Sequence, residues 1–123
     1  MLLTLLQSLL QKLITVVILP TKITWVDPTT NADGSPITSG EITAYEIGVR
    51  LASGTVGVYT STASVAPTET SELLSALTPA LPLSGSFEAA VRAVTTSGAS
   101  SWSVEVPFTI SALPNPPNGV VVA

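Results

Sequence analysis

The sequence contains no cysteine and no histidine. Without cysteine, the chain cannot form a disulfide framework or a thiolate metal site. Without histidine, it lacks the side chain that most often serves as a general base or a metal ligand. These two absences argue against an enzyme, so we expect no catalytic residue, no bound metal and no cofactor.

Charged side chains are also scarce. Asp, Glu, Lys and Arg make up 10% of the 123 residues, against about 25% in an average globular protein. The four cations, Lys12, Lys22, Arg50 and Arg92, are too scattered to form the basic stripe that nucleic-acid binding needs. Seventeen Thr and fifteen Ser supply the polarity instead. Such a composition suits a β-rich protein, since threonine fits the pleated sheet, and it suits an extracellular one.

The N-terminal segment MLLTLLQSLLQKLITVVIL (residues 1–19) is apolar but interrupted by polar residues. It therefore falls short of the roughly 20 mostly apolar residues that a bilayer-spanning helix needs. No cation precedes the apolar run and no small-residue cleavage site follows it, so we expect no cleaved export signal. At about 100° per residue, its six polar residues fall within an arc of about 140°. The pattern predicts an amphipathic α-helix over residues 1–19.

The apolar face of this predicted helix needs a partner. It packs on its own domain, lies on a membrane, or packs against other subunits. The polar stripe holds one Lys, whereas helices at membrane surfaces are usually rich in cations. We therefore favour a homo-oligomer, with a trimer first and a pentamer second, although the β-branched end Ile14–Leu19 is also compatible with a strand. The residues that recur at the four-three-four-three spacing of a helical bundle are Leu2, Leu6, Leu9, Leu13 and Val16.

From Pro20 onward, short apolar runs alternate with turn residues. Four segments alternate between apolar and polar residues: TKITWV, ITAYEIGVRLAS, SFEAAVRAVTT and SWSVEVPFTI. The connections, such as PTTNADGSP and SGAS, are rich in Gly, Pro, Asn, Asp and Ser. Six or seven short strands at this spacing, with little helix, predict a mainly β protein folded as an antiparallel β-sandwich.

Residues 20–112 resemble a fibronectin type III domain, one of the immunoglobulin-like sandwiches. The resemblance rests on Trp25 in an early strand, on GSPIT ahead of AYEIGVR, and on SFEAAVRAVTTSGASSWSVEVPFTI. In that family a strand and turn of the form Y-x-x-x-V-x-A-V-x-x-x-G lead to a last strand that ends in F-T. The residues that fill those places here are Phe87, Val91, Ala93, Val94, Gly98, Phe108 and Thr109.

The resemblance also implies a core in which alternate side chains of each strand point inward. Two departures from the family pattern have consequences. Phe87 replaces the corner tyrosine and cannot donate the corner hydrogen bond. Only Pro20, Thr21 and Lys22 separate Leu19 from the next strand, so the family's first strand should be abbreviated or absent. The implied core residues are Trp25, Tyr45, Ile47, Val49, Phe87, Ala89, Val91 and Ala93.

Three polar or aromatic groups resemble parts of known sites, and each has an ordinary explanation. The acidic loop at residues 27–41 lacks the ligand spacing and the terminal bidentate Glu of a calcium loop, and turn chemistry accounts for its residues. Glu69 and Glu72 flank a polar stretch without a cleft signature. Trp102, in SSWS, is compatible with a core or edge position as well as with a ligand contact. We therefore assign none of these groups to a site.

The chain ends in PNPPNGVVVA (residues 114–123) within a proline-rich tail of residues 113–123. The prolines form a stiff spacer that cannot donate to a strand ladder. Because the family's termini lie at opposite ends of the domain, a spacer of about 19 Å, at roughly 3.1 Å per residue, is too short to return along its own domain. We therefore expect Val120, Val121 and Val122 to add as a strand to a neighbouring molecule, with a disordered tail as the alternative.

These observations together favour a structural role. An extracellular type of module without a recognisable export signal is typical of a bacteriophage virion, which leaves the cell by lysis. We expect a capsid decoration, vertex or fibre protein whose partners are its own copies and other capsid proteins, with a host surface or glycan as a further partner. A membrane-docked adhesion or spike-base protein at the cell surface is the second hypothesis. An accessory carbohydrate-binding module is the third, and it would need a row of exposed aromatics.

Overall fold

The computed structural model describes residues 20–122, which form antiparallel β-structure. A single 3-10 turn, Leu74–Ala76, is the only helical element among them, and none of these residues form a helix able to cross a membrane. The predicted N-terminal helix and its seam residues (Leu2, Leu6, Leu9, Leu13 and Val16) lie outside the described residues. The strands are β1 (Lys22–Thr24), β2 (Ile42–Leu51), β3 (Ser61–Val65), β4 (Ser71–Leu73), β5 (Gly85–Thr95), β6 (Gly98–Ala99) and β7 (Val106–Ile110).

The strands form two sheets of unequal size. The smaller sheet contains β1 and β4 alone, with Ile23 opposite Glu72. In the larger sheet the order is β3, β2, β5, and both β6 and β7 pair with the far side of β5. Every pairing is antiparallel, so the fold is mainly β and sandwich-like, as the alternating sequence predicts.

The long pair formed by β2 and β5 is the centre of the fold. Its register places large side chains of β2 beside small ones of β5, with Tyr45 opposite Ala93 and Val49 opposite Ala89. Cross-strand neighbours of this kind are the unit of sheet stabilisation. The small side chains of β5 therefore leave room for the large side chains of β2 on the inner face.

The core lies between the two sheets. Ile47 and Val49 of β2 meet Phe87 of β5, and Leu74 and Leu77 close the core from the segment after β4. The ring of Phe87 is 1% exposed, and it stacks on the ring of Phe108 in β7 with centroids 5.3 Å apart. Ile23 and Trp25 pack against this cluster from the β1 side.

The last strand is shorter than the sequence pattern predicts. SWSVEVPFTI alternates from Ser101 onward, but β7 begins only at Val106. Before that point, the N–H groups of Val91 and Ala93 donate to the hydroxyls of Ser103 and Ser100 instead of to carbonyls. Because serine side chains compete with the backbone for ladder bonds, Trp102 lies in an irregular stretch ahead of β7.

The outer face of the larger sheet carries a buried ion pair. Arg50 of β2 is 5% exposed, and its Nε and Nη2 donate to the two carboxylate oxygens of Glu105 at 2.7 and 2.8 Å. Its Nη1 donates to the carbonyls of Leu51, Ala52 and Gly54 and so fixes the turn after β2. Bidentate pairing of this kind is strong and directional, so Arg50 ties β2 to the start of β7.

Aromatic rings cover the same outer face. Tyr59 donates to Glu105 at 3.1 Å, and its ring lies 4.6 Å from the ring of Trp102. The guanidinium of Arg92 lies 4.4 Å from the centroid of Trp102, in cation–π contact. Gly48 makes room for Tyr59, since a Cβ at that position would lie 2.5 Å from the ring. Trp102 therefore has a packing role on this face.

Phe87→Ala tests the core. Because the ring is buried and stacked on Phe108, we expect a loss of about 3–5 kcal/mol in the free energy of unfolding, measured by denaturant titration. Leu83→Ala is the control, since Leu83 is 91% exposed and should change stability by less than about 0.5 kcal/mol. A midpoint for Phe87→Ala equal to that of the control would contradict the observed core.

Glu105→Gln tests the ion pair. The hydrogen bonds from Arg50 hold the pKa of Glu105 below its ordinary value, so its contribution is present above the ordinary pKa and is lost as the pH falls. We expect Glu105→Gln to lower the Tm at neutral pH and to flatten the acid limb of stability against pH. Glu46→Gln is the control, because the pair of Glu46 with Arg92 is longer, at 3.3 Å, and about one-third exposed. Equal Tm values for the two variants would refute this role.

Candidate functional site

The residues that the sequence assigns to the core divide into two groups. Five are buried and three are half-buried, and the three half-buried residues line one groove. The buried residues are Tyr45, Ile47, Val49, Phe87 and Ala89, and the half-buried residues are Trp25, Val91 and Ala93. The incomplete burial therefore has a single location, the space beside β1.

The groove has a volume of about 560 Å³ and opens between β1 and the β5–β7 side of the larger sheet. One wall comes from residues 22–26, the floor from residues 89–93, and the other wall from residues 100–108. The lining is mainly apolar, with Ile23, Trp25, Val91, Val106 and Phe108 among its side chains. Val106 is 62% exposed there, so apolar surface is left open to solvent.

One rim of the groove is an open strand edge. The N–H of Trp25 donates to the carbonyl of Thr70, and the N–H of Leu74 donates to the carbonyl of Thr21. The residues on either side of β1 therefore direct their hydrogen-bonding groups toward the β4 side. Ladder groups alternate along an antiparallel strand, which turns the N–H and C=O groups of Lys22 and Thr24 away from β4. Within residues 20–122, β1 pairs only with β4. The edge at Lys22 and Thr24 therefore borders the groove without a ladder partner in the described chain.

A partly buried polar contact supports the wall of the groove. The rings of Trp25 and Tyr45 lie 5.5 Å apart, and the Tyr45 hydroxyl donates to Asp27 at 2.7 Å. Burial raises the pKa of Tyr45 to about 12, and the hydrogen bond to Asp27 adds to this effect. Trp25 Nε1 is buried and has no hydrogen-bond partner among the described residues. The indole thus contributes apolar surface to the groove.

The acidic loop before β2 is organised by its own hydrogen bonds. Asp33 accepts from the backbone N–H and the hydroxyl of Ser35, which lowers its pKa. Glu41 accepts from the backbone N–H of Thr38, which lowers its pKa as well. Within residues 20–122, no three acidic side chains lie close enough together to hold a metal ion. The loop is therefore built by turn chemistry.

The C-terminal tail forms no strand in the part of the chain that the structure describes. Residues 111–122 have no regular structure, and Gly119 turns the chain at φ +68°. Val120, Val121 and Val122 are 79%, 82% and 95% exposed. A partner for the strand predicted at these residues is therefore not found among residues 20–122.

Two features of these surfaces had no signal in the sequence. Arg50 and Glu105 are 55 residues apart, and no local pattern links them. The groove also has no motif, because its walls come from three separate segments. From the short link ahead of the ITW segment we expected the family's first strand to be abbreviated or absent, and within residues 20–122 no strand pairs with the second edge of β1. Comparison of the chain with protein-family models, curated proteins and solved structures found no match.

The Tyr45 contact predicts a loss of stability in alkali. Because the pKa of Tyr45 is about 12 in the folded protein and about 10 in an unfolded chain, the unfolded state ionises first as the pH rises. Stability should fall between pH 10 and 12, by up to about 3 kcal/mol, and Tyr45→Phe should flatten that slope. Tyr59→Phe, the control, should leave most of it. An unchanged slope in Tyr45→Phe, measured by urea titration, would contradict the assignment.

Proposed function

We propose that this protein is a non-enzymatic structural component that works by assembling with other polypeptides. The observation that carries the proposal is an edge of β1 that no strand among residues 20–122 pairs with, beside an apolar groove. Exposed edges and large apolar patches are hazards that monomeric proteins normally cover. Keeping both on one side of a small domain is consistent with a surface that another chain completes.

The domain itself is proposed to be a fibronectin type III or immunoglobulin-like sandwich. In immunoglobulin-like domains, strands A, B and E share one sheet and strands C, F and G share the other. The observed pairs support this assignment if β1 and β4 take the places of B and E, and β2, β5 and β7 those of C, F and G. The place beside β1 is then that of strand A, which the described chain does not supply.

We place this assembly outside the cell, on the surface of a bacteriophage virion, as a capsid decoration, vertex or fibre protein. The hydroxyl-rich composition, in which charged residues make up 10% of the sequence, supports an extracellular setting. The choice of a virion rests on analogy at the level of the fold, and a fold hosts many functions. The proposed partners are other copies of the chain and neighbouring capsid proteins, with a host surface or glycan as a further partner.

The carbohydrate-binding alternative is weaker than the structural one. All six aromatic residues of the chain lie within residues 20–122, and each is buried or half-buried. A flat row of exposed rings, which a carbohydrate-binding face would need, is therefore not formed by the described residues. The membrane-docked alternative depends on residues 1–19, and flotation with liposomes distinguishes it from assembly through protein contacts.

The assembly proposal predicts that residues 1–19 set the oligomeric state. Changing Leu6, Leu9 and Leu13 together to Ser removes the centre of the proposed apolar seam. We expect native mass spectrometry to show a folded monomer in place of the wild-type oligomer. The matched control changes Thr4, Gln7 and Gln11 on the polar face to Ser and should keep the oligomer.

Two outcomes would count against this proposal. Persistence of the wild-type oligomer in the Leu→Ser variant would remove the seam from the interface. Co-flotation of the wild-type protein with liposomes, lost when residues 1–19 are deleted, would favour the membrane-docked alternative instead. A wild-type protein that stays with the unbound fraction supports assembly through protein contacts.

A further inference from the structure

We propose that the groove beside β1 accepts Val120–Val122 of a second copy of the chain as an added strand. The tail of one molecule would then pair with the edge of β1 in the next, an edge that no strand of residues 20–122 occupies. This inference rests on the proposed assembly function and names one of its contacts. It joins two features that residues 20–122 leave without a partner among themselves, a strand edge and an apolar tail.

The backbone of β1 is suited to receive a strand. Lys22 and Thr24 direct their ladder groups away from β4, as the bonds made by Thr21 and Trp25 on the other side require. A peptide that adds to such an edge gains main-chain hydrogen bonds, while side-chain pockets provide its selectivity. β1 is three residues long, the same length as the valine run of the tail.

The chemistry of the groove matches the tail. The groove exposes Ile23, Trp25, Val91 and Phe108, and a valine strand placed over them would bury apolar surface from both partners. Residues 111–122 include no Asp, Glu, Lys or Arg. Docking the tail therefore leaves no charge of its own unpaired, a condition that buried interfaces need.

The valine strand that fills the groove comes from another molecule. In the same chain, Val120–Val122 remain 79–95% exposed although the groove is open.

Donor and acceptor are different surfaces, which constrains the assembly. Each chain carries one tail and one groove, so the contact is heterologous, with a head-to-tail arrangement. Such contacts either close into a ring or grow into a filament. Two contacts of different kinds, one at residues 1–19 and one at the groove, would let oligomers link to each other.

Cysteine cross-linking tests the contact, because the native chain has no cysteine. Full-length chains carrying Thr24→Cys alone are mixed under mild oxidation with chains carrying Val120→Cys, Val121→Cys or Val122→Cys. Thr24 is exposed while its neighbours Ile23 and Trp25 pack inward, so its thiol faces one side of an added strand. Cβ atoms of paired strands lie about 4.5–5.5 Å apart, close to what a disulfide spans.

The expected result has period two. Side chains alternate across a strand, so Val121 faces the opposite side from Val120 and Val122. The yield of disulfide-linked pairs should therefore be several-fold higher for Val121→Cys than for the other two variants, or several-fold higher for those two than for Val121→Cys. Ser64→Cys is the matched control acceptor, since Ser64 is exposed on β3, the edge strand of the larger sheet. It should give only the background yield with each tail variant.

Three results would overturn the contact. These are equal yields from all three tail positions, equal yields with Ser64→Cys, and an intramolecular disulfide in a chain that carries both Thr24→Cys and Val121→Cys. Native mass spectrometry of the unmodified chain separates this failure from failure of the proposed function. An oligomer without specific cross-links retains assembly and removes the groove contact, whereas a monomer without cross-links removes both.

Discussion

The antiparallel pairing of β2 with β5 is the interaction on which the rest of the structure depends. Nine registered pairs join the two strands from Ile42 opposite Thr95 to Leu51 opposite Phe87. Every other strand of the larger sheet attaches to one of these two, and Trp25, the residue after β1, packs on the pair through its contact with Tyr45. Pairing strands that are far apart in sequence costs loop-closure entropy before the contacts between them form. The burial of side chains on this pair must offset that cost for the domain to fold.

The two faces of this central pair are completed in different ways. On the outer face, Arg50, Glu105 and Tyr59 form a closed polar cluster under the ring of Trp102, with their hydrogen bonds satisfied within the chain. On the inner face, a sheet of two three-residue strands is too small to cover eleven residues of β5. The outer face is thus finished internally, and the inner face leaves the groove.

The sequence predicted the type of fold better than it predicted where individual strands begin and which surfaces stay uncovered. Alternation around Tyr45–Val49 and Phe87–Ala93 was enough to predict buried strands, because period-two burial leaves a local pattern. The late start of β7 was missed, since the hydroxyls of Ser100 and Ser103 replace ladder acceptors without disturbing that pattern. The short link at Pro20–Lys22 was the only local sign related to the groove. Whether a surface is covered depends on which segments meet in space, and a local sequence pattern does not contain that information.

The shortness of β1 reconciles an open edge with a stable domain. A long, flat edge would recruit any extended chain, and proteins commonly limit this risk with short edge strands, lysine and proline. β1 has all three features, since it spans three residues, includes Lys22 and follows Pro20. A three-residue edge forms few main-chain hydrogen bonds, so an arbitrary peptide would bind it weakly. Most of the binding free energy for an added strand would have to come from apolar contacts in the groove. Selectivity would therefore come from side chains that fill the space over Trp25 and Val91, which small β-branched residues in an extended chain are shaped to do.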